Sequence, residues 1–204
     1  MARFSEFIAL SEKLPVVSLA DIRAAMPELR RETLYRWHRA GKIEIIAPGF
    51  YSPRGSIQSE EQMFAVANRI YRPSFVSLQS ALAHHGLAAE VPLAATSVTT
   101  AKTRTVHSPS GQFIYRTVKP ERWFGYRVEQ GIRFSYLMAS PERAIADVLY
   151  LSPRLNSPAD LIELRLDPQA FEKLAVNLEE TVEKYRSKAL VKRCRALREA
   201  MENA

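Results

Sequence analysis

The 204-residue sequence predicts an α+β fold in two parts: a small helical unit closed by a β-hairpin, and a larger mixed unit with a helical C-terminal extension. Three observations predict it. Fewer than sixty residues at the start read, in order, as three helices and a hairpin. Between residues 96 and 137 short β-rich runs are separated by turn residues. After Pro158 the apolar residues return to helical spacing and keep it.

Each element has a local reason. Phe4, Phe7 and Ile8, with Leu14 less regularly, form one apolar helical face that Pro15 stops. Ser18 suits an N-cap, with Asp21 near the positive end of a second helix that halts around Pro27. A third helix runs from near Glu28 to Ala40. Leu34 and Trp37 lie three apart on its buried face, and Gly41 takes the left-handed position that follows. Residues 42–46 and 49–52 then form two short strands about Ala47-Pro48-Gly49. This order is that of a winged helix-turn-helix over residues 1–55, and Ser52-Pro53-Arg54-Gly55-Ser56 has the composition of a boundary.

In the second domain, residues 56–204, the stretch 60–71 is helical through Met63, Phe64, Ala67 and Ile70. Ser77 or Ser74 caps a further helix to His85, closed by Gly86. Residues 96–100, 105–106, 113–118 and 132–137 are the β-runs, with Pro109-Ser110-Gly111 turning the chain between two of them. Ser140-Pro141-Glu142 starts a strong helix to Leu151. The remainder divides into three helical pieces, broken near Pro168 and between Leu174 and Asn177.

The chain carries 29 Lys and Arg against 22 Asp and Glu, a formal charge of +7, and an isoelectric point near 9.7. An apolar fraction of 47% with 25% charged residues excludes wholesale disorder. Cys194 is the single cysteine and cannot form an internal disulfide, which points to a reducing compartment. No apolar run is long enough to span a membrane, and the N-terminal one holds Arg3, Glu6 and Glu12, unlike a signal peptide. The expectation is a cytoplasmic protein without membrane association and with an anionic partner.

Opposite Leu34 and Trp37, the third helix presents Arg31, Glu32, Tyr35, Arg36 and Arg39, with Arg30 and Thr33 at its flanks. Such a helix fits the major groove, where Arg bidentate to guanine is worth roughly 1–3 kcal/mol of discrimination. Thr33 and Tyr35 suit phosphates or a thymine methyl. Lys42 and Arg54 bracket the hairpin, where a wing meets the backbone or the minor groove. The alternative is an arginine-rich solvated face on a helix that supports a neighbour. The full element order with a Pro-Gly wing favours double-stranded DNA.

The strings Arg31-Glu32-Thr33-Leu34-Tyr35-Arg36-Trp37, Gly41-Lys42-Ile43 and Pro48-Gly49-Phe50-Tyr51 resemble the AbiEi-type antitoxins, winged-helix regulators of bacterial type IV toxin–antitoxin pairs. More specific is Tyr71-Arg72-Pro73-Ser74-Phe75-Val76-Ser77-Leu78-Gln79-Ser80-Ala81-Leu82 with His85-Gly86-Leu87. Ser97-Val98-Thr99-Thr100, Lys119-Pro120, Phe124-Gly125-Tyr126, Ala139-Ser140-Pro141-Glu142-Arg143-Ala144 and Asp147-Val148-Leu149-Tyr150 continue the likeness, which spans residues 15–152. It implies an autorepressor on promoter inverted repeats, two copies of a solution monomer per operator. It also implies a second domain that counters a nucleotidyltransferase toxin, directly or only functionally. The family's wing often carries Arg-Gly before the aromatic pair; Ala47-Pro48-Gly49 stands there here, which shifts the burden to Arg54 and the third helix. A regulator without a toxin partner and an adaptor for protein or RNA remain the alternatives.

The β-region adds Lys102, Arg104, Arg116, Lys119, Arg122 and Arg127, interleaved with aromatics. Arg116 and Tyr115 face opposite sides of a strand, so these bases suit an electropositive platform; a solubilising surface is the alternative. On a continuous helix Lys184, Lys188, Lys192 and Arg195 form one stripe suited to phosphates, or a solvated face paired with Glu179, Glu180 and Glu183. No catalysis, cofactor or metal is expected. His84 and His85 diverge on a helix, one toward the core and one toward solvent, and no glycine loop cradles a phosphate. Asp147 looks inward, where it accepts hydrogen bonds from a neighbouring element.

Overall fold

A computed structural model describes residues 4–90 and 92–202. Arg3 and the extreme ends of the two domain assignments lie outside the described residues. The fold is mixed α+β.

The N-terminal part comprises α1 (Phe4–Ser11), β1 (Val17–Ser18), α2 (Leu19–Ala25), α3 (Arg31–Arg39), β2 (Ile43–Ala47) and β3 (Phe50–Pro53). Ser18 caps α2 reciprocally: its hydroxyl accepts from the Asp21 N–H, and the Asp21 carboxylate accepts from the Ser18 N–H. Helix α3 starts at Arg31 rather than near Glu28, because Leu29 N–H donates to Met26 O in the turn after α2. Phe7, Ile22, Met26, Leu34, Trp37 and Ile43 form a separate small core, with Phe4 edge-on to Trp37 at 5.1 Å. The unanticipated β1, too short for a two-residue period, joins the hairpin in an antiparallel sheet of order β1-β3-β2.

The second part runs α4 (Glu60–Ile70), β4 (Ser74–Val76), α5 (Leu78–His84), β5 (Ala94–Thr99), β6 (Arg104–Ser108), β7 (Gly111–Thr117), a 3-10 turn (Pro120–Arg122), β8 (Tyr126–Gln130), β9 (Ser135–Ala139) and α6 (Pro141–Leu151). It ends with α7 (Pro158–Ile162), α8 (Pro168–Glu172), α9 (Ala175–Lys184) and α10 (Lys188–Glu202). The sheet order is β6-β7-β5-β4-β9-β8, with parallel pairs β5/β7 and β4/β9. Helix α4 covers one face, where the Tyr115 hydroxyl donates to Ala67 O. Helix α5 covers the other, where Thr96 bonds Ser77 O and the Ser80 N–H.

Several expectations are corrected. The run 132–137 moves to β9, since Gly131 N–H closes a turn on Phe134 O. Strand β8 precedes it at the sheet edge, where Tyr126-Arg127-Val128-Glu129 alternates over only four residues and Val128 lies exposed. Ser77 holds the N-cap position of α5 without a capping bond, because its hydroxyl is turned to Asp147. Among the described residues the C-terminal extension has four helices rather than three, and the break expected between 174 and 177 falls at 173–174, just before α9. A further break, not expected, comes at 185–187, where Tyr185 turns inward and Arg186 takes φ +50°.

The 52–56 boundary is not a slack tether. Ser52 is buried and its hydroxyl meets that of Ser56 at 2.6 Å. Buried Glu44 accepts from Ser110 Oγ (2.7 Å) and Gly55 N–H (3.3 Å), tying the hairpin to the β6–β7 turn. Arg69 on α4 reaches Asp21 at 2.7 Å and Val16 O at 2.9 Å. Ile46 and Ala47 belong to the larger core. Among the described residues no helix is long and apolar enough to cross a membrane.

Candidate nucleic-acid interface

Helix α3 owes its orientation to two residues. Leu34 and Trp37 are buried in the small core, so at 100° per residue the opposite side must face outward. That side carries exposed Arg31, Glu32, Tyr35, Arg36 and Arg39, with Tyr35 59% exposed. Arg30 is the N-cap residue and makes no side-chain cap bond; Thr33 is half-buried at the flank. The Arg39 guanidinium lies over the Tyr35 ring at 5.0 Å. The side chains of Arg30, Arg31 and Arg36 make no ion pair, hydrogen bond or ring contact among the described residues.

Lys42 and Arg54 sit at the open end of the hairpin, beside the C-terminus of α3. Arg54 N–H donates to Lys42 O at 3.1 Å, and Lys42 Nζ lies 5.2 Å from the Phe4 ring centre. Gly41, at φ +67°, lets the chain turn there; a Cβ on it would come within 2.9 Å of Arg54 Nη1. The hairpin tip is at the other end, where Ile46 and Ala47 are held in the larger core. Lys42 and Arg54 therefore extend the α3 surface rather than a projecting tip.

The bases of the second part do not form one platform. Arg104 pairs in register with Tyr115 and so shares its face, stacking over Tyr71 at 5.3 Å. Arg116, the next residue along β7, points to the opposite face and donates to Leu151 O. Arg122 is spent on structure: Nε donates to Tyr185 O, Nη1 donates to Tyr150 Oη, and the guanidinium stacks on the Tyr150 ring. Arg127 pairs with Glu129, while Lys102 and Lys119 are simply exposed. The C-terminal stripe is also broken. Lys184 ends α9 paired to Glu180, and only Lys188, Lys192 and Arg195 share α10.

The strongest polar cluster was only half visible in the sequence. Arg143 and Asp147, four apart on α6, are both fully buried and joined at 2.9 Å. Asp147 also accepts from Ser77 Oγ (2.7 Å) and Tyr185 Oη (2.6 Å), as its inward placement implied. The Arg143 guanidinium is caged by Phe124, Tyr185 and Phe75, 4.5, 4.7 and 5.4 Å from its ring centres. Burial, followed by the Asp147 charge, pushes the Tyr185 hydroxyl well above its ordinary range, so it stays a donor.

His84 and His85 are both half-buried, which corrects the expectation that one is solvated. His84 packs on Phe64 and Tyr136, and His85 Nε2 meets Ala139 O at 2.8 Å. Burial holds His85 below the usual histidine pKa. Among the described residues no group of three His, Cys, Asp or Glu side chains is placed to hold a metal ion. No protein-family model matches the chain, and no curated protein matches it in sequence.

Proposed function

We propose that this chain is a sequence-specific DNA-binding autorepressor that seats α3 in the major groove, and that it serves as the antitoxin of a type IV pair against a nucleotidyltransferase toxin. The observation that carries the DNA reading is the uncommitted charge on α3. Arg31 and Arg36 are exposed without a protein partner, on a helix whose back is fixed by Leu34 and Trp37. The order helix, strand, helix, helix, strand, strand, with its β1-β3-β2 sheet, supports a winged helix-turn-helix.

In this reading Arg31 and Arg36 take guanine edges, which need paired donors in one plane. Thr33, Tyr35 with its stacked Arg39, and Arg30, Lys42 and Arg54 hold phosphates and set the register of the helix on the duplex. Affinity then comes largely from counterion release, and no chemical step is required of the protein. The antitoxin part rests on the second-domain strings from Tyr71 to Tyr150.

The test pairs promoter binding with toxicity rescue. The full chain is measured on duplex DNA from upstream of its own gene, and co-expressed with a nucleotidyltransferase encoded beside it. Preference for that duplex over a scrambled one, together with rescued growth, is expected. Rescue that survives in Arg31→Ala/Arg36→Ala while repression is lost would assign the two tasks to separate parts. Promoter binding without rescue would leave a plain regulator, and absence of promoter preference would refute the DNA reading.

A further inference from the structure

A groove of about 600 Å³ opens where β4 and β9 part, next to the joint between the two units. Only Val76 and Met138 pair across these strands, so their first residues diverge. Leu137 N–H finds the Asn68 side-chain oxygen instead of a β4 partner. The split leaves two polar groups unsatisfied in the groove wall. Asn68 Nδ2 is buried with no hydrogen-bond partner, and so is the hydroxyl of Ser74, a residue only 3% exposed. Native interiors seldom leave such groups unpaired, because each costs roughly 1–3 kcal/mol.

The rest of the lining says what would pair with them. Arg69, Arg72 and Arg133 line the groove. Arg69 is held by Asp21 and Val16 O, and Arg133 by Glu12 O, whereas exposed Arg72 makes no side-chain hydrogen bond, ion pair or ring contact among the described residues. Hydrogen bonds from Ser18 and Arg69 outweigh burial and keep Asp21 ionised, which leaves two of the three positive charges uncompensated by a carboxylate. Trp123, half-buried, offers a flat surface and is braced by Phe75 at 4.9 Å and Tyr126 at 5.3 Å.

We propose that this groove binds a nucleoside phosphate: the base stacks on Trp123, Asn68 Nδ2 and Ser74 Oγ, buried in the free protein, shift to meet its polar edge, and the phosphate faces Arg72 with Arg69 and Arg133 behind it. An apolar ligand would leave the two buried polar groups unpaired, and a bare anion would leave the indole unused. The volume lies within the roughly 300–1,000 Å³ of small-molecule sites. The inference stands independently of whether α3 binds DNA.

The test is calorimetric titration of the full chain with AMP, GMP, CMP and UMP, beside their nucleosides and inorganic phosphate. At least one monophosphate is expected to bind about tenfold or more tightly than its nucleoside and than phosphate alone, the scale of one charge-assisted hydrogen bond. Arg72→Ala and Ser74→Ala each weaken that binding by a similar factor. Ser74→Ala removes no side-chain hydrogen bond of the free protein, so its melting temperature does not fall and lost binding is not misfolding. Absence of binding by all four monophosphates at millimolar concentration overturns the proposal. So does equal affinity for phosphate or nucleoside alone, or unchanged affinity in both variants.

Discussion

The arginines of α3 and the arginine at the centre of the larger unit are one residue type in opposite circumstances. Arg31 and Arg36 stand in solvent with no partner among the described residues, whereas Arg143 is fully buried between the Asp147 side chain and three aromatic rings. An exposed guanidinium costs the fold little and leaves its donors available. The buried one bonds Asp147 through Nε, with Nη1 and Nη2 set among the rings without a hydrogen-bond partner, and through Asp147 it ties α6 to Ser77 before α5 and to Tyr185 after α9. Positive charge alone therefore does not separate the two; whether its donors are already spent on the fold does.

The comparison breaks most visibly in stability. Asp147→Ala strands the Arg143 charge in the core and is expected to cost about 3–5 kcal/mol in urea unfolding. Arg31→Ala is expected to change stability by no more than about 0.5 kcal/mol. Equal losses would mean that α3 also spends its arginines on the fold.

Salt sharpens the same contrast. Promoter affinity should fall linearly in log–log form as salt rises, and Arg30→Ala should lower the slope by about one. A flat response would contradict a phosphate-dominated interface. The stability contributed by the buried Arg143–Asp147 pair should respond far less to the same salt, because burial limits screening.

A smaller effect concerns His85. Its folded-state pKa lies below the ordinary 6.5, so the folded protein binds fewer protons than the unfolded chain just under that pH. Stability should be full above pH 6.5, decline as pH falls from there through the folded pKa, and decline less in His85→Gln. A rise in stability over that window would reverse the assignment. The smallest effect is expected from Lys102→Ala and Lys119→Ala. Because the second-part bases lie on different faces, each should alter promoter affinity by no more than about twofold, the loss of weak screened attraction.

The contrast also explains what the sequence discloses. Helix α3 is legible because Leu34 and Trp37 fix its buried side, and the exposure of Arg31, Tyr35, Arg36 and Arg39 follows from helical geometry alone. The hairpin is legible from its turn residues and the α6 start from Ser140-Pro141. Strands β4 and β8 are not, the first having three residues and the second a four-residue alternation at the sheet edge with Val128 exposed. Asp147 could be placed inward by periodicity, but its partners Ser77 and Tyr185 are 70 and 38 residues away, a pairing that only the packed sheet and the break at Tyr185 create. The dispersal of Arg104 and Arg116 depended on strand register, which local spacing does not carry. The groove between β4 and β9 has no local signature, since its lining runs from Pro15 to Leu137.

The most direct test of α3 as a DNA-reading helix is the affinity ratio between the chain's own upstream duplex and a scrambled duplex, for the parent and Arg31→Ala/Arg36→Ala. The account predicts a clear preference in the parent that collapses toward one in the double variant, with the melting temperature unchanged. A ratio that is the same in both proteins would contradict it.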